Sequence, residues 1–213
     1  LKPDYTEAMN NQGVSFDSDS RFESAISCFE RALQIDPDYV NAWYNLGNVY
    51  VHQRKLELAI QAYQTCVNLD WSCGRAWYSL GNTNLNSGNY EEAIHAYGQL
   101  LQQEPDHYKA LIKLGNAQSK SGNSRAAIEP LKAASNLEPE NAKPHYQLGV
   151  AYTDIENISE AIQAYKTALV INGKHTKSYN KLGAIFEREG QLAKATGYFK
   201  QSAFWGDVSA KQW

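Results

Sequence analysis

The chain has 213 residues, 43% of them hydrophobic and 20% charged, with a formal net charge of −3. This is the composition of a chain that folds around a core; its mild acidity argues against a nucleic-acid partner, and no apolar run approaches the roughly 18 residues of a membrane span. Cys28, Cys66 and Cys73 form no C-x-x-C pair, which argues against a disulfide framework and for a reducing, cytoplasmic setting.

The opening LKPDY, Leu1–Tyr5, returns 34 residues later as IDPDY, Ile35–Tyr39. Gly13, Gly47, Gly81, Gly115, Gly149 and Gly183 keep that spacing, as do Ala25, Ala59, Ala93, Ala127, Ala161 and Ala195. A fixed period of this length marks stacked supersecondary units. Six units follow without insertion: 6–39, 40–73, 74–107, 108–141, 142–175 and 176–209. Residues 1–5 are expected as the tail of an upstream unit, and 210–213 as the start of a seventh unit or a capping helix.

Within each unit, positions 4, 7, 8 and 11 make one stripe of a first helix, and positions 20, 24, 27 and 28 make the stripe of a second. Taken in chain order, the first unit carries Met9, Gln12, Gly13 and Phe16, then Ala25 and Phe29. The second carries Trp43, Leu46, Gly47 and Tyr50, then Ala59 and Tyr63; the third Trp77, Leu80, Gly81 and Asn84, then Ala93 and Tyr97. The fourth has Leu111, Leu114, Gly115 and Gln118 with Leu131, the fifth His145, Leu148, Gly149 and Tyr152 with Tyr165. The sixth closes the series with Tyr179, Leu182, Gly183 and Phe186, then Phe199. Small residues at 8 and 20 let the two helices approach, and large ones at 4, 11 and 24 fill the space beside the crossing. Links such as NSGN (Asn86–Asn89) and KSGN (Lys120–Asn123) turn the chain. Pro37, Pro105 and Pro139 at position 32 stop the second helix, and Trp71, Gly173 and Asp207 take that place elsewhere, the last two as turn formers.

WYNLGNVY (Trp43–Tyr50) followed by Ala59 and Tyr63, and WYSLGN (Trp77–Asn82) followed by Ala93, Tyr97 and Pro105, resemble tetratricopeptide repeats, and the resemblance covers 6–209. It implies an all-α fold, a right-handed superhelical solenoid of antiparallel helix pairs. It also implies that positions 2, 5, 6, 9, 12 and 13 of the first helices line a concave groove that contacts peptides. Carried to this chain, position 9 supplies Asn48, Asn82 and Asn116, whose amides offer both donor and acceptor to an extended backbone. Position 5 supplies Tyr44, Tyr78 and Tyr146, flat rings with a polar tip. Positions 2 and 6 supply Asn45, Arg75, Lys109, Lys113, Lys143, Lys177 and Lys181. Charge is uneven along the array: the first unit holds seven acids against two bases, while the fourth and sixth each hold five bases against three acids.

No G-x-S-x-G, Gly-rich phosphate loop, H-E-x-x-H or Cys/His metal spacing is present, so neither catalysis nor a metal or cofactor is expected. His145 is expected as a packed residue, His107 and His175 in links, His52 on the inner surface, Cys66 in the core, and Cys73 in a link with its thiol near the surface. The leading expectation is a non-catalytic scaffold that binds an extended acidic peptide along the second to sixth repeats. The alternatives are the substrate-recognition arm of a larger enzyme, as in protein O-glycosyltransferases, a scaffold that self-associates through its ends, and a chaperone adaptor. The carboxylate clamp of such adaptors is matched only in part, by Asn48, Lys109 and Lys113 and again by Asn116, Lys177 and Lys181.

Overall fold

The computed structural model describes residues 3–210, with side chains described for 5–206. The chain divides into two compact units on either side of the Pro105–Asp106 bond. The first contains the helices α1 (Pro3–Ser18), α2 (Phe22–Ile35), α3 (Val40–His52), α4 (Leu56–Leu69), α5 (Gly74–Ser87) and α6 (Tyr90–Gln103). The second contains α7 (Tyr108–Lys120), α8 (Ser124–Leu137), α9 (Ala142–Asp154), α10 (Ile158–Ile171), α11 (Thr176–Arg188) and α12 (Leu192–Ala210). Within each unit every odd-numbered helix packs on the next even one, and each hairpin packs on the following hairpin. No strand occurs among the described residues, and none of their helices is long and apolar enough to cross a membrane. The result is an all-α array of helical hairpins.

The period shows in the backbone as well as in the side chains. Ser20, Arg54, Gly88, Gly122, Glu156 and Gly190 all have φ between 58° and 89°, and all stand at position 15, just past the first helix. The next amide bonds back to the carbonyl at position 11, as in Arg21 to Phe16 (2.8 Å) and Asn89 to Asn84 (2.9 Å). Glycine adopts this left-handed turn freely, whereas Ser20, Arg54 and Glu156 adopt it against a steric cost of about 1–2 kcal/mol each.

Packing explains the two small positions. A Cβ on Gly47, Gly81 or Gly149 would lie 2.5–2.6 Å from a ring carbon of Tyr63, Tyr97 or Tyr165. The position-24 side chain thus lies flat against bare backbone. Beside it the position-20 alanines are at most 3% exposed. Tyr63, Tyr97, Leu131 and Tyr165 are themselves at most 2% exposed, each burying enough apolar surface to contribute on the order of 2–3 kcal/mol. Phe199 is the exception at 37% exposure, because no further hairpin covers α12 among the described residues.

Position 4 ties one repeat to the last. The Trp43 indole N–H donates to the Pro37 carbonyl (2.8 Å), Trp77 to the Trp71 carbonyl (2.8 Å), and the Tyr179 hydroxyl to the Gly173 carbonyl (3.1 Å). His145, in the same slot, is half-buried.

Four local expectations need revision. Pro3, Asp4 and Tyr5, expected within the tail of an upstream unit, belong to α1, of which Pro3 is the first described residue. Asp207, expected in a turn, lies inside α12, which runs 19 residues where α2, α4, α6, α8 and α10 stop at 14; no proline interrupts it. Ala210 is the last described residue of that helix, and 1–2 and 211–213 lie outside the described residues. Cys73 is buried, not at the surface, and its Sγ lies 3.8 Å from Cys66 Sγ. Burial, then Cys73, pushes the Cys66 thiol up to about 12, so it stays protonated and unreactive.

The link histidines cap helices. His107 Nδ1 accepts from the Ala110 amide (3.1 Å), and His175 Nδ1 accepts from the Ser178 amide (3.3 Å). A ring nitrogen accepts only when it carries no proton. Burial, and then Lys177, lowers the His175 pKa from its ordinary 6.5. The stability this confers is complete above about pH 6.5 and is lost as pH falls from there through the depressed folded value. We expect His175→Asn, which keeps an N-cap acceptor that does not titrate, to flatten the decline of Tm between about pH 7 and about pH 5. An identical decline in the variant counts against this capping role.

Candidate functional site

In the first unit an open cleft of about 310 Å³ brings together Asn48 and Asn82 with Asp17, Val51, His52, Tyr63, Ser79 and Asn86. Both asparagines owe their place to position 9, one residue past the glycine on which the tyrosine ring lies. The Tyr63 hydroxyl reaches over that glycine and donates to Asn48 Oδ1 (2.7 Å); Tyr97 does the same to Asn82 Oδ1 (3.0 Å). Burial, and next the position-5 tyrosine, raises the pKa of both phenols, so they remain donors. The position-5 rings of Tyr44 and Tyr78 lean on Tyr63 and Tyr97 with centroids 5.9 and 6.1 Å apart. Each of these two repeats therefore presents a unit of amide, phenol and tilted ring.

Other expected site residues in the first unit are engaged differently. Asn45 Nδ2 donates to Asn10 Oδ1 (2.8 Å), a bond between neighbouring first helices that occupies part of its amide. The Arg75 guanidinium sits 4.4 Å above the Tyr44 ring and donates to Asn41 Oδ1. His52 Nδ1 pairs with Asp17 (2.9 Å) at the cleft edge.

In the second unit a cleft of about 420 Å³ is lined by Asn116, Ser119, Lys120, Tyr146, Gln147, Val150 and Asp154. Here Leu131 stands where Tyr63 and Tyr97 stand in their repeats, so position 24 offers Asn116 no hydroxyl. Gln147 Oε1 is buried without a hydrogen-bond partner among the described residues. The Tyr146 ring packs on Tyr165 (5.9 Å) and His175 (5.0 Å). Lys109, Lys143, Lys177 and Lys181 are exposed and Lys113 is half-buried; none of the five pairs with a carboxylate among the described residues. Burial, then Lys143 and Lys120, pushes the Lys113 pKa down. Lys181 borders a separate cleft with Arg188 and Ala184, and Lys143 a cavity with Glu138, Glu140 and His175.

The phenol hydroxyls escaped the sequence reading, although a signal was present. Position 24 is Tyr where position 9 is Asn in the second and third repeats, and Phe where position 9 is Val14 or Ala184. In the fifth repeat Val150 replaces the amide, and the Tyr165 hydroxyl meets Thr153 Oγ1 instead (3.2 Å).

Helical hairpins repeated at a fixed period, with polar rows on their first helices and clefts open to solvent, define a class: helical-repeat proteins that meet partners through a surface. Family models described as TPR repeat and as Tetratricopeptide repeat match residues 18–54 and 40–70, and one described as Anaphase-promoting complex, cyclosome, subunit 3 matches 86–168. The chain is a tetratricopeptide-repeat protein. Among solved structures, the MamA protein is similar at 25% identity over 83% of this chain and 96% of that one, with a TM-score of 0.76. A MamA from Desulfovibrio magneticus RS-1 is 21% identical over 79% and 96% (TM-score 0.74). YrrB, described as a TPR protein with an unusual peptide-binding site, is 22% identical over 80% and 88% (TM-score 0.74). The last two likenesses speak to the fold alone. A search of curated protein sequences returned no match.

Proposed function

We propose that this protein is a non-catalytic interaction scaffold whose first helices bind an extended, acidic polypeptide segment. The coarse part of this reading, a protein-interaction scaffold, follows from the tetratricopeptide fold. The observation that carries the finer part is Lys113. Its ammonium is half-buried, disfavoured by that burial and by Lys143 and Lys120, and has no carboxylate partner among the described residues. A side chain from an acidic partner would relieve both penalties at once. In the first unit, Asn48 and Asn82 would meet the backbone of such a segment, and Tyr44 and Tyr78 its side chains.

The test is binding of a fluorescein-labelled peptide of alternating Glu and Gly to the whole chain. Affinity is expected to fall about tenfold or more in Lys109→Glu/Lys113→Glu, and to weaken as salt rises from about 50 to about 300 mM. Asn48→Ala/Asn82→Ala is expected to weaken the same peptide with helix content unchanged. Full affinity in the charge-reversed variant would sink the acidic-segment reading.

A further inference from the structure

We infer that Tyr63 and Tyr97 are positioning residues of this surface: each hydroxyl holds its asparagine's amide oxygen, so that the amide nitrogen serves the cleft as a hydrogen-bond donor. The inference rests on the recognition reading above and adds a direction to it. An asparagine left alone can present either end of its amide, because both orientations fill the same space. With both phenols donating to Oδ1, Nδ2 is the end of each amide left for the cleft. At Tyr63 the hydroxyl donates to Asn48 Oδ1 at 2.7 Å, the usual length of a well-formed O–H···O bond. Asn48 and Asn82 line one cleft, and both amide oxygens are held in the same way. The second and third repeats therefore offer two –NH₂ groups in succession. Two donors in a row suit acceptors in a row, and the repeating acceptor of an extended polypeptide is its backbone carbonyl.

The opposite account is that each asparagine exists to satisfy a buried phenol. The fifth repeat argues against it, because Tyr165 is satisfied by Thr153 while position 9 is Val150. A tyrosine at position 24 thus has no need of an asparagine at position 9. In two of the three repeats without an amide at position 9, the first and the sixth, position 24 is Phe29 or Phe199. Those two residues also show that phenylalanine fits the slot against Gly13 and Gly183, so removing the hydroxyl leaves a foldable protein.

The experiment compares Tyr63→Phe/Tyr97→Phe, Asn48→Ala/Asn82→Ala and the combination of all four in the whole chain, using the alternating Glu/Gly peptide and the side-chain amide resonances in ¹⁵N-resolved spectra. The Tyr→Phe pair is expected to bind about two- to tenfold more weakly, the fold equivalent of one or two hydrogen bonds, with Tm near that of the wild type. It should cost nothing further once the asparagines are alanine. The Asn48 and Asn82 –NH₂ resonances should move towards those of exposed asparagines. Loss of affinity in the Asn→Ala pair with full affinity in the Tyr→Phe pair overturns the positioning role and leaves the recognition reading standing. Full affinity in the Asn→Ala pair overturns the amide-ladder part of that reading instead. Amide resonances unmoved by Tyr→Phe overturn the inference whatever the peptide does.

Discussion

Replacing Trp77 by alanine is expected to lower stability by about 3–5 kcal/mol, the cost of emptying a large aromatic site in a packed core. The indole is only 5% exposed and meets the His95 ring edge-on at 5.8 Å. Its N–H is also the donor that joins α5 to the preceding link, at the Trp71 carbonyl. Alanine therefore leaves a cavity and removes one of the two donors to that carbonyl, the other being Gln103 Nε2 (2.9 Å). Trp43, in the same slot one repeat earlier, is half-buried, and its replacement should cost less. Chemical unfolding of the whole chain measures both; equal losses at Trp43 and Trp77 would contradict this ranking.

The second large effect comes from a single methyl group. Gly81→Ala places a Cβ 2.6 Å from Tyr97 Cε1, inside the contact distance of any real pair. The tyrosine is fully buried and its hydroxyl is held by Asn82, so the ring has little room to withdraw. We expect a loss of about 1–3 kcal/mol, typical of overpacking. Gly98 supplies the opposite case. It lies in the interior of α6, and an added Cβ would meet nothing within 4 Å. Gly98→Ala is expected to stabilise by about 0.5–1 kcal/mol, because alanine loses less backbone freedom on entering a helix. A shared sign for the two shifts in Tm would refute the argument from close approach.

These glycines show how much of the molecule was open to a reader of the sequence. A Gly at position 8 and a large residue at position 24, repeated six times, announce a close helix crossing, because sterics at such a crossing tolerate little else. The position of the turn was readable for the same reason, from Gly88 and Gly122. Harder to read were Ser20, Arg54 and Glu156, which adopt the left-handed turn without a glycine's ease. Their neighbours on both sides are helices already committed to packing, so tertiary structure overrides local preference.

The candidate site divides in the same way. Its rows of Asn, Tyr and Lys could be assigned to the first helices by counting residues. Their states could not. Asn45 bonds to Asn10, Arg75 lies over Tyr44, and Lys113 is half-buried among lysines.

Residue order alone settled the period, the helical hairpins and the side of each helix that packs, because periodicity along a chain is a local property. Only the folded chain decided which polar atoms meet: Tyr63 with Asn48 across 15 residues, and Cys66 beside Cys73 in the interior. A hydrogen bond depends on tenths of an ångström and on direction, and those are set by the packed helices as a whole.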